Sequence, residues 1–270
     1  TMKFTKMQGT GNDYVYINCF EETVERPEEL AVKVSDRHFG IGSDGLILIC
    51  PSGQADCRMK MFNADGSESE MCGNGIRCVG KYVYDHHIVE KDEFDVETKA
   101  GIKHLKVTDE GGKAVLITVD MGIPEVTGEV PEPITIDGRS YEFIGISMGN
   151  PHAIYYMDEI DGLDLEAMGP AFETHERFPE RTNSEFIQVI DRSHLRMRVW
   201  ERGSGETWAC GTGATASAVA SVLSGRTENT VEVELKGGIL SITWDRVSGH
   251  VYMTGPAVEV FQGEFDPENL

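Results

Sequence analysis

The chain has 270 residues, 40% hydrophobic and 26% charged, a composition typical of a folded globular protein and long enough for about two domains. Acidic residues outnumber basic ones by 46 to 24, and the net charge of −22 makes nucleic acid and anionic membranes unexpected partners. There is no segment of about 18 apolar residues and no apolar signal region, so we expect a cytoplasmic protein.

The first half of the chain reads as strands and two helices. "PEELAVKVSDRHF" has the period of an amphipathic helix, and "LILI" after it predicts a buried strand. "GNGIRCVGKYVYD" places Ile76, Val79 and Val83 on one face, which predicts a helix against a sheet that begins just after Cys72. "FDVETKAGIKHLKV" and "AVLITVD" then predict strands up to a seam near "VDMGIPEV".

The second half follows the same order. "LDLEAMGPAFETHERF" predicts another amphipathic helix. "GTGATASAVASVLSG" is small or apolar on every side, which predicts a helix buried inside a curved sheet, beginning after Cys210 and capped by Gly225. Strands are predicted at "TVEVEL", "GILSITW" and "HVYMTG".

Two motifs recur at one offset. "GND" at Asn12 matches "GNP" at Asn150, and "CGNG" at Cys72 matches "CGTG" at Cys210, each pair 138 positions apart. A constant offset indicates an internal duplication. The predicted fold class is therefore α/β (α+β), with two pseudo-symmetric domains at residues 1–118 and 119–257.

Each repeated cysteine stands where its thiol can be activated. A thiol at a helix N-terminus meets the positive end of the helix dipole, which we expect to lower its pKa toward neutrality. Free N–H groups in the glycine-rich turn form a ready site for a carboxylate. Two such thiols on opposite faces of one carbon suit a racemase or epimerase, in which one removes the α-proton and the other returns one. Cys72 and Cys210 are the candidate catalytic pair.

The remaining cysteines and histidines suggest no further chemistry. No CxxC or HxxxH spacing indicates a metal site, and no lysine motif for a pyridoxal Schiff base stands out, so neither metal nor cofactor is expected. His152 is a site candidate only because it follows Asn150 by two residues. Four cysteines are interpreted as small buried hydrophobic residues: Cys19, Cys50, Cys57 and Cys78.

Other functions remain open on these grounds. The chain could racemise another amino acid, such as histidine, glutamate or proline. Cys72 could instead be the nucleophile of a thiol hydrolase with a histidine partner, although Cys210 would then be unexplained. A non-catalytic amino-acid-binding module would have no use for two thiols.

The motifs resemble those of the diaminopimelate epimerases along nearly the whole chain: "MQGTGNDYVYIN", "FNADGSESEMCGNGIRC", "GNPHAI", "NSEFIQV" and "VWERGSGETWACGTGATA". The resemblance implies cofactor-free interconversion of LL- and meso-2,6-diaminopimelate by two cysteines, in lysine and peptidoglycan precursor synthesis. It also implies a homodimer whose subunits have two domains, each a β-barrel-like sheet around a central helix. In this family the last strand, here 258–270, returns to the first domain.

The resemblance also assigns site residues. Cys72 and Cys210 would alternate as base and acid, and His152 and Glu201 would tune their pKa values. Substrate would be bound by ten residues: Asn12, Asn63, Gly73, Asn74, Asn150, Asn183, Glu201, Arg202, Gly211 and Thr212.

One position departs from the family pattern. Gly45 stands where some members carry a glutamine that contacts substrate. One side-chain contact is therefore expected to be missing, or to be supplied by water or a neighbouring residue.

Overall fold

The structure, a computed structural model, describes all residues from Thr1 to Leu270 and divides into two compact units. The first unit comprises Thr1–Val119 and Gly255–Leu270, and the second comprises Asp120–Thr254. The boundaries expected from the sequence, after residues 118 and 257, lie close to these. None of the helices is long and apolar enough to cross a membrane.

The first half of the chain forms eight strands and two helices. The strands are β1 (Met2–Gly9), β2 (Asn12–Asn18), β3 (Gly45–Cys50), β4 (Cys57–Asn63), β5 (Glu68–Ser69), β6 (Glu93–Thr98), β7 (Gly101–Glu110) and β8 (Lys113–Asp120). The helices are α1 (Pro27–Ser35) and α2 (Gly73–Asp85).

The second half repeats this series. Its strands are β9 (Glu125–Val126), β10 (Glu132–Ile136), β11 (Arg139–Ser147), β12 (Pro151–Tyr156), β13 (Asn183–Asp191), β14 (His194–Glu201), β15 (Gly205–Glu206), β16 (Thr230–Leu235), β17 (Gly238–Trp244) and β18 (Val251–Pro256). Its helices are α3 (Leu165–Glu173) and α4 (Gly211–Leu223). The chain closes with β19 (Val258–Phe265) and the 3-10 helix Pro267–Asn269.

Strand order is the same in the two units. The first unit pairs its strands as β19-β1-β2-β3-β4-β6-β7-β8, and only β2–β3 and β4–β6 are parallel. The second pairs β10-β11-β12-β13-β14-β16-β17-β18, with β12–β13 and β14–β16 parallel. Each parallel pair is joined through a helix, because a parallel connection needs a crossover.

The two cysteine helices lie within the curve of their sheets. α2 packs against β1, β2, β7 and β19, and α4 packs against β11, β12, β13, β16 and β17. Strands from distant parts of one sheet therefore meet the same helix. On the other side of the sheets, α1 and α3 cover two further cores, which include Val15 and Leu46 in one unit and Phe172 and Phe186 in the other.

The one-sided pattern predicted for α2 is incomplete. Almost every residue from Gly73 to Val83 is buried, and even Arg77 is fully buried. Its guanidinium donates to the carbonyl oxygens of Gly73, at 3.3 Å, and Pro256, at 3.1 Å. Backbone carbonyls thus replace water around a charge whose burial lowers its pKa.

Candidate active site

Cys72 and Cys210 occupy the same place in the two units. Each is the N-cap of its helix, with an extended backbone. Each sulfur accepts the N–H of the third residue on, from Gly75 at 3.4 Å and from Gly213 at 3.3 Å. The side chains therefore lie against the positive end of the helix dipole, as the sequence predicts.

Two N–H groups at the start of each helix have no acceptor within the chain. In α2 they belong to Gly73 and Asn74, and in α4 to Gly211 and Thr212. Such N–H groups bind an anion readily, because they point out of the helix end and carry a partial positive charge.

In the first unit three of the predicted site residues come together. The Cys72 Sγ donates to Asn12 Oδ1 at 3.2 Å, and Asn74 Nδ2 reaches the same oxygen at 3.4 Å. Asn12 Nδ2 in turn donates to Asp44 Oδ2 at 2.7 Å. The hydroxyl of Tyr14, which was not among the predicted site residues, lies 3.9 Å from the Cys72 sulfur.

In the second unit a chain of polar contacts leads away from Cys210. Its sulfur lies 3.6 Å from Thr212 Oγ1, which accepts from Asn150 Nδ2 at 3.3 Å. Asn150 Oδ1 lies 3.1 Å from His152 Nε2, and His152 Nδ1 lies 2.6 Å from Glu185 Oε1. Four predicted site residues are thus connected to Glu185, which was not predicted.

Glu185 is an unusual carboxylate. Its side chain is 0% exposed, and its Oε2 has no hydrogen-bond partner. Burying an unpaired oxygen costs about 1–3 kcal/mol, or more for a charged group, and such atoms are typical of residues with a functional role. It also lies next to the cysteine turn: a Cβ added to Gly213 would be 2.5 Å from Glu185 Oε1.

The pKa expected for Cys210 is wrong in direction. Burial raises the pKa of this thiol well above its usual range, and the carboxylates of Glu201 and Glu185 raise it further. The N–H of Gly213 and the hydroxyl of Thr212 oppose this effect but do not overcome it. The helix end is present as predicted, but desolvation and two nearby carboxylates outweigh it.

Glu201 lies at the end of β14 and is itself perturbed. Burial raises the pKa of its carboxyl, and the negative charge of Glu185 adds to this. Thr207 donates its hydroxyl to Glu201 Oε2. Glu201 is therefore a buried carboxyl whose charge raises the pKa of the Cys210 thiol, an influence of the kind that the family resemblance implies.

Three predicted residues make contacts outside these clusters. Asn63 Nδ2 donates to Ser67 Oγ at 3.0 Å. Asn183 Oδ1 accepts the Arg202 N–H at 2.8 Å, and Asn183 Nδ2 donates to the Pro151 carbonyl oxygen at 2.9 Å. Its side chain therefore links the start of β12 to the residue that follows β14. The Arg202 guanidinium is exposed and reaches only the Glu180 carbonyl oxygen, at 3.3 Å, which leaves most of its donors available.

The offset of 138 identifies what surrounds each cysteine. Tyr14 corresponds to His152, Ile47 to Glu185, and Asn63 to Glu201. An added Cβ on Gly75 would meet Ile47, just as one on Gly213 would meet Glu185. The imidazole and the two carboxylates near Cys210 therefore have uncharged counterparts in the first unit, where the buried guanidinium of Arg77 interacts electrostatically with Cys72.

The residues missed from the sequence share one signal. Tyr14 follows Asn12 by two positions on β2, and Glu185 follows Asn183 by two positions on β13. Residues two apart on a strand share a face, so a predicted site residue on a strand points to its neighbour at i+2.

Gly45 cannot carry a side chain without rearrangement. A Cβ at this position would lie 2.2 Å from the Phe62 carbonyl oxygen and 3.0 Å from Tyr14 Cε1. Gly45 lies opposite Asn63 on the paired strands β3 and β4. The two strands are too close together at this point to leave room for a Cβ on Gly45. Glycine at position 45, where some family members carry a glutamine, thus fits the close packing of the local backbone.

No three histidine, cysteine, aspartate or glutamate side chains come together in a way that could hold a metal ion.

Comparison by sequence identifies one family. The family described as diaminopimelate epimerase matches residues 4–127 and 144–260. A diaminopimelate epimerase from Desulfovibrio desulfuricans is 59% identical over 281 positions that cover 98% of each chain. The enzyme of the same name from Acetivibrio thermocellus is 58% identical, with full coverage of both chains. One from Methanococcus maripaludis is 54% identical over 98% of this chain.

Comparison by structure finds proteins of similar fold at much lower sequence identity. A PhzF-family phenazine biosynthesis protein of Bacillus anthracis superposes with a TM-score of 0.74 over 98% of both chains at 18% identity. A hydroxyproline epimerase of Agrobacterium vitis, solved with trans-4-hydroxy-L-proline, superposes with a TM-score of 0.74 at 16% identity, over 97% of this chain and 91% of its own. At these identities the similarity concerns fold alone, and it confirms the predicted fold class.

Proposed function

We propose that this chain, which belongs to the diaminopimelate epimerase family, epimerises its substrate with Cys72 and Cys210. The reaction interconverts LL- and meso-2,6-diaminopimelate, on the route to lysine and to peptidoglycan precursors. The observation that carries the assignment of residues is the repeated N-cap: a cysteine sulfur and two unpaired N–H groups recur at the start of a buried helix in each unit.

The chemistry follows from these groups. One sulfur, as thiolate, removes the α-proton and becomes a thiol, and the electron pair remains on the α-carbon and its carboxylate. The other thiol then gives its proton to the opposite face and becomes a thiolate. Negative charge grows on the carboxylate as the α-proton leaves, so N–H donors at Gly73, Asn74, Gly211 and Thr212 stabilise the transition state more than the ground state.

The raised pKa of Cys210 sets its resting state. In the absence of substrate Cys210 is the protonated thiol, because burial and two carboxylates disfavour its thiolate. It is therefore the acid in the direction that begins with proton removal by Cys72. In the other direction the ammonium group of bound substrate, close to Glu201, would offset the carboxylates and allow the Cys210 thiolate to form.

Polar side chains around the two cysteines would bind the other charged groups of the substrate, its distal carboxylate and its ammonium groups. Arg202 has a largely unpaired guanidinium, which suits the distal carboxylate, and Glu201 suits an ammonium. The amides of Asn12, Asn63, Asn150 and Asn183 supply further donors and acceptors. Glu185 acts as a positioning residue, since its carboxylate accepts from His152 Nδ1 and fixes the orientation of the ring.

The assembly and location follow the family resemblance. We infer a cytoplasmic homodimer that needs neither metal nor cofactor. Sedimentation of the purified enzyme tests the dimer, and full activity after dialysis against a chelator, with no absorbance from a bound pyridoxal, tests the expected lack of cofactors.

Exchange of the α-proton tests the mechanism. The reduced enzyme is incubated with LL-diaminopimelate in D2O, and deuterium at the α-carbon and the meso isomer are measured together. We expect both products from the natural enzyme, and no net epimerisation from Cys72→Ala or Cys210→Ala. Cys72→Ser and Cys210→Ser are matched controls, since a hydroxyl can still cap the helix but is far too weak an acid to replace the thiol.

Other outcomes point to the alternatives. Turnover by the double alanine variant would overturn the two-thiol assignment. Deuteration of proline, histidine or glutamate but not of diaminopimelate would indicate a different racemase. Hydrolysis of a thioester or an amide that depends on Cys72 alone would indicate a thiol hydrolase.

A further inference from the structure

Two cysteines outside the catalytic turns lie side by side in the first unit. β2 and β3 pair in parallel from Val15 opposite Leu46 to Asn18 opposite Ile49. The Cys19 N–H then donates to the Ile49 carbonyl oxygen at 2.8 Å, which continues the ladder and sets Cys19 opposite Cys50. Neighbouring strands are about 4.8 Å apart, and disulfides span Cα distances of about 4.4–6.8 Å. The pair is within bridging distance.

Both thiols are free and partly exposed. They lie at the margin of the α1 core, on the face that carries Ile17 and Leu48 further along the same strands. The interpretation of these two cysteines as small buried hydrophobic residues is therefore incomplete. Cys57 and Cys78, by contrast, are 0% exposed.

Two positively charged side chains lie near Cys50, and one of them, Arg58, is 3.9 Å from the carboxylate of Glu97. Arg58 is directly opposite it on β4, and Lys60 lies two residues further along that strand. A hydrogen bond from Cys19, with the charges of Lys60 and Arg58, lowers the pKa of Cys50 to about 7 despite its partial burial. The same contact, burial and the carboxylate of Glu22 raise the pKa of Cys19. One thiol is thus an anion near neutral pH, and its neighbour is a proton donor.

This combination is typical of oxidisable thiols. Reactive cysteines have a depressed pKa, partial exposure and positive surroundings, and redox-sensing ones often stand next to a second cysteine that resolves the first product. In the same unit, burial raises the pKa of Cys57 to about 12 and that of Cys78 to about 11, so neither should react.

We propose that Cys50 and Cys19 form a peroxide-reactive pair that closes to a disulfide between β2 and β3. The Cys50 thiolate attacks one oxygen of hydrogen peroxide or of an organic hydroperoxide, the O–O bond breaks, and Cys50 becomes a sulfenic acid. The hydroxide or alkoxide that leaves takes a proton from solvent and becomes water or an alcohol. The Cys19 sulfur then attacks the Cys50 sulfur, its proton leaves with the hydroxyl as water, and the disulfide forms. Two thiols are oxidised by two electrons, and the peroxide is reduced.

Peptide mapping without reductant tests the pair. The natural enzyme and the Cys72→Ala/Cys210→Ala variant are each treated with a small excess of hydrogen peroxide. We expect the same linked peptide, joining Cys19 to Cys50, in both proteins. In Cys19→Ser, Cys50 should instead accumulate as a sulfenic acid that dimedone traps.

Alkylation gives a second readout that does not depend on disulfide formation. The rate of iodoacetamide reaction at Cys50, followed by mass spectrometry against pH, should have its midpoint near pH 7. In Cys19→Ala the midpoint should move up toward the ordinary value of about 8.5. Cys57 and Cys78 in the same digests are the internal controls and should remain unmodified while the protein is folded.

Either of two results overturns the proposal. One is oxidation of Cys72 or Cys210 with no peptide linking Cys19 and Cys50. The other is alkylation of Cys50 no faster than that of Cys57 at neutral pH. Because every cysteine is followed separately, these results are independent of whether the catalytic assignment of Cys72 and Cys210 holds.

Discussion

The two cysteines proposed as the catalytic pair have different charge environments although their backbones repeat. Cys72 has Tyr14 and Asn12 as its neighbours, and the position equivalent to Glu185 is Ile47. Cys210 is buried, with its pKa raised first by desolvation and then by Glu201 and Glu185. One thiol therefore lies near two carboxylates, which raise its pKa, and the other lies near the buried guanidinium of Arg77.

Replacing Glu185 should affect reactivity and turnover in opposite directions. Glu185→Gln removes a negative charge near Cys210, so the pKa of the thiol falls and more thiolate is present at any pH below that pKa. We expect faster alkylation of Cys210, measured by peptide mapping against pH. The substitution also weakens the hydrogen bond that orients the His152 ring. We therefore expect kcat/KM for diaminopimelate to fall by about 10- to 100-fold.

Glu176→Gln is the matched control for this variant, because Glu176 is an exposed glutamate of the same unit. It should change neither quantity. A Glu185→Gln enzyme with natural kcat/KM would contradict the positioning role. Slower alkylation of Cys210 would contradict the electrostatic account.

Gly45 offers a direct test of close backbone packing. Gly45→Ala places a Cβ 2.2 Å from the Phe62 carbonyl oxygen, so β3 and β4 must separate locally. Such overpacking costs about 1–3 kcal/mol, which should appear as a lower free energy of unfolding in urea. Gly53→Ala is the control, since nothing lies within 4 Å of its Cβ, and an equal effect of both substitutions would refute the explanation.

Single-residue roles were predictable only in part. Repetition pointed to Cys72 and Cys210, and the family resemblance pointed to Glu201 and Arg202 as partners for charged groups. The direction of the Cys210 pKa could not be predicted, because it depends on burial and on Glu185, which only the fold brings beside the thiol. The i+2 relation on β2 and β13 was available in the sequence and would have identified Tyr14 and Glu185.

At the level of elements, a cysteine side chain caps the start of α2 and of α4, and a glycine follows the end of α4. At the C-terminus of α4, the Gly225 N–H donates to the Val222 carbonyl oxygen at 3.0 Å and the Arg226 N–H to that of Ser221 at 2.9 Å. With Gly225 at φ 72°, this is a Schellman motif, and the predicted cap is confirmed. The helix that carries Cys210 is thereby fixed at both ends.

Gly225→Ala should destabilise the fold through backbone conformation alone. Nothing lies within 4 Å of a Cβ added there, so the cost is that of a left-handed L-residue, about 1–2 kcal/mol. We expect a lower midpoint of thermal unfolding. Gly162→Ala, where φ is not positive and space is also open, serves as control, and a loss no larger than its own would contradict the prediction.

The sequence predicted the elements better than their surroundings. The six runs predicted as strands lie in strands, and the four helices lie within the segments predicted for them. Two of those helices end before the predicted segment does, α1 at Ser35 and α3 at Glu173. The full burial of Arg77 was not predictable, because a charged residue in an amphipathic helix is expected to lie on the solvent-facing side. Its burial depends on the Pro256 carbonyl oxygen, 179 positions away in the chain, and local patterns contain no information about that contact.

At the scale of the whole molecule, the repeat is completed by the end of the chain. β10 flanks β11 in the second unit and comes directly before it in sequence, whereas β1 is flanked by β19, the last strand. Met2 to Gln8 pair with Phe265 to Val258, and the ring of Phe4 lies 5.8 Å from the rings of both Phe261 and Phe265. The sheet of the first unit is therefore complete only when β19 has been made.

Truncation after Ala257 should consequently loosen the first unit selectively. The unpaired β1 loses its hydrogen-bonded neighbour and exposes Phe4, while α4 and its sheet keep every contact within their own unit. We expect amide hydrogen exchange in β1 and α2 to accelerate by more than about 10-fold, equivalent to roughly 1.4 kcal/mol of local stability, with α4 unchanged. Phe261→Ala/Phe265→Ala keeps the strand but removes the rings, so it should give a smaller acceleration in β1. Equal acceleration in α2 and α4 after truncation would mean that the units unfold together, and would contradict the assignment of β19 to the first unit alone.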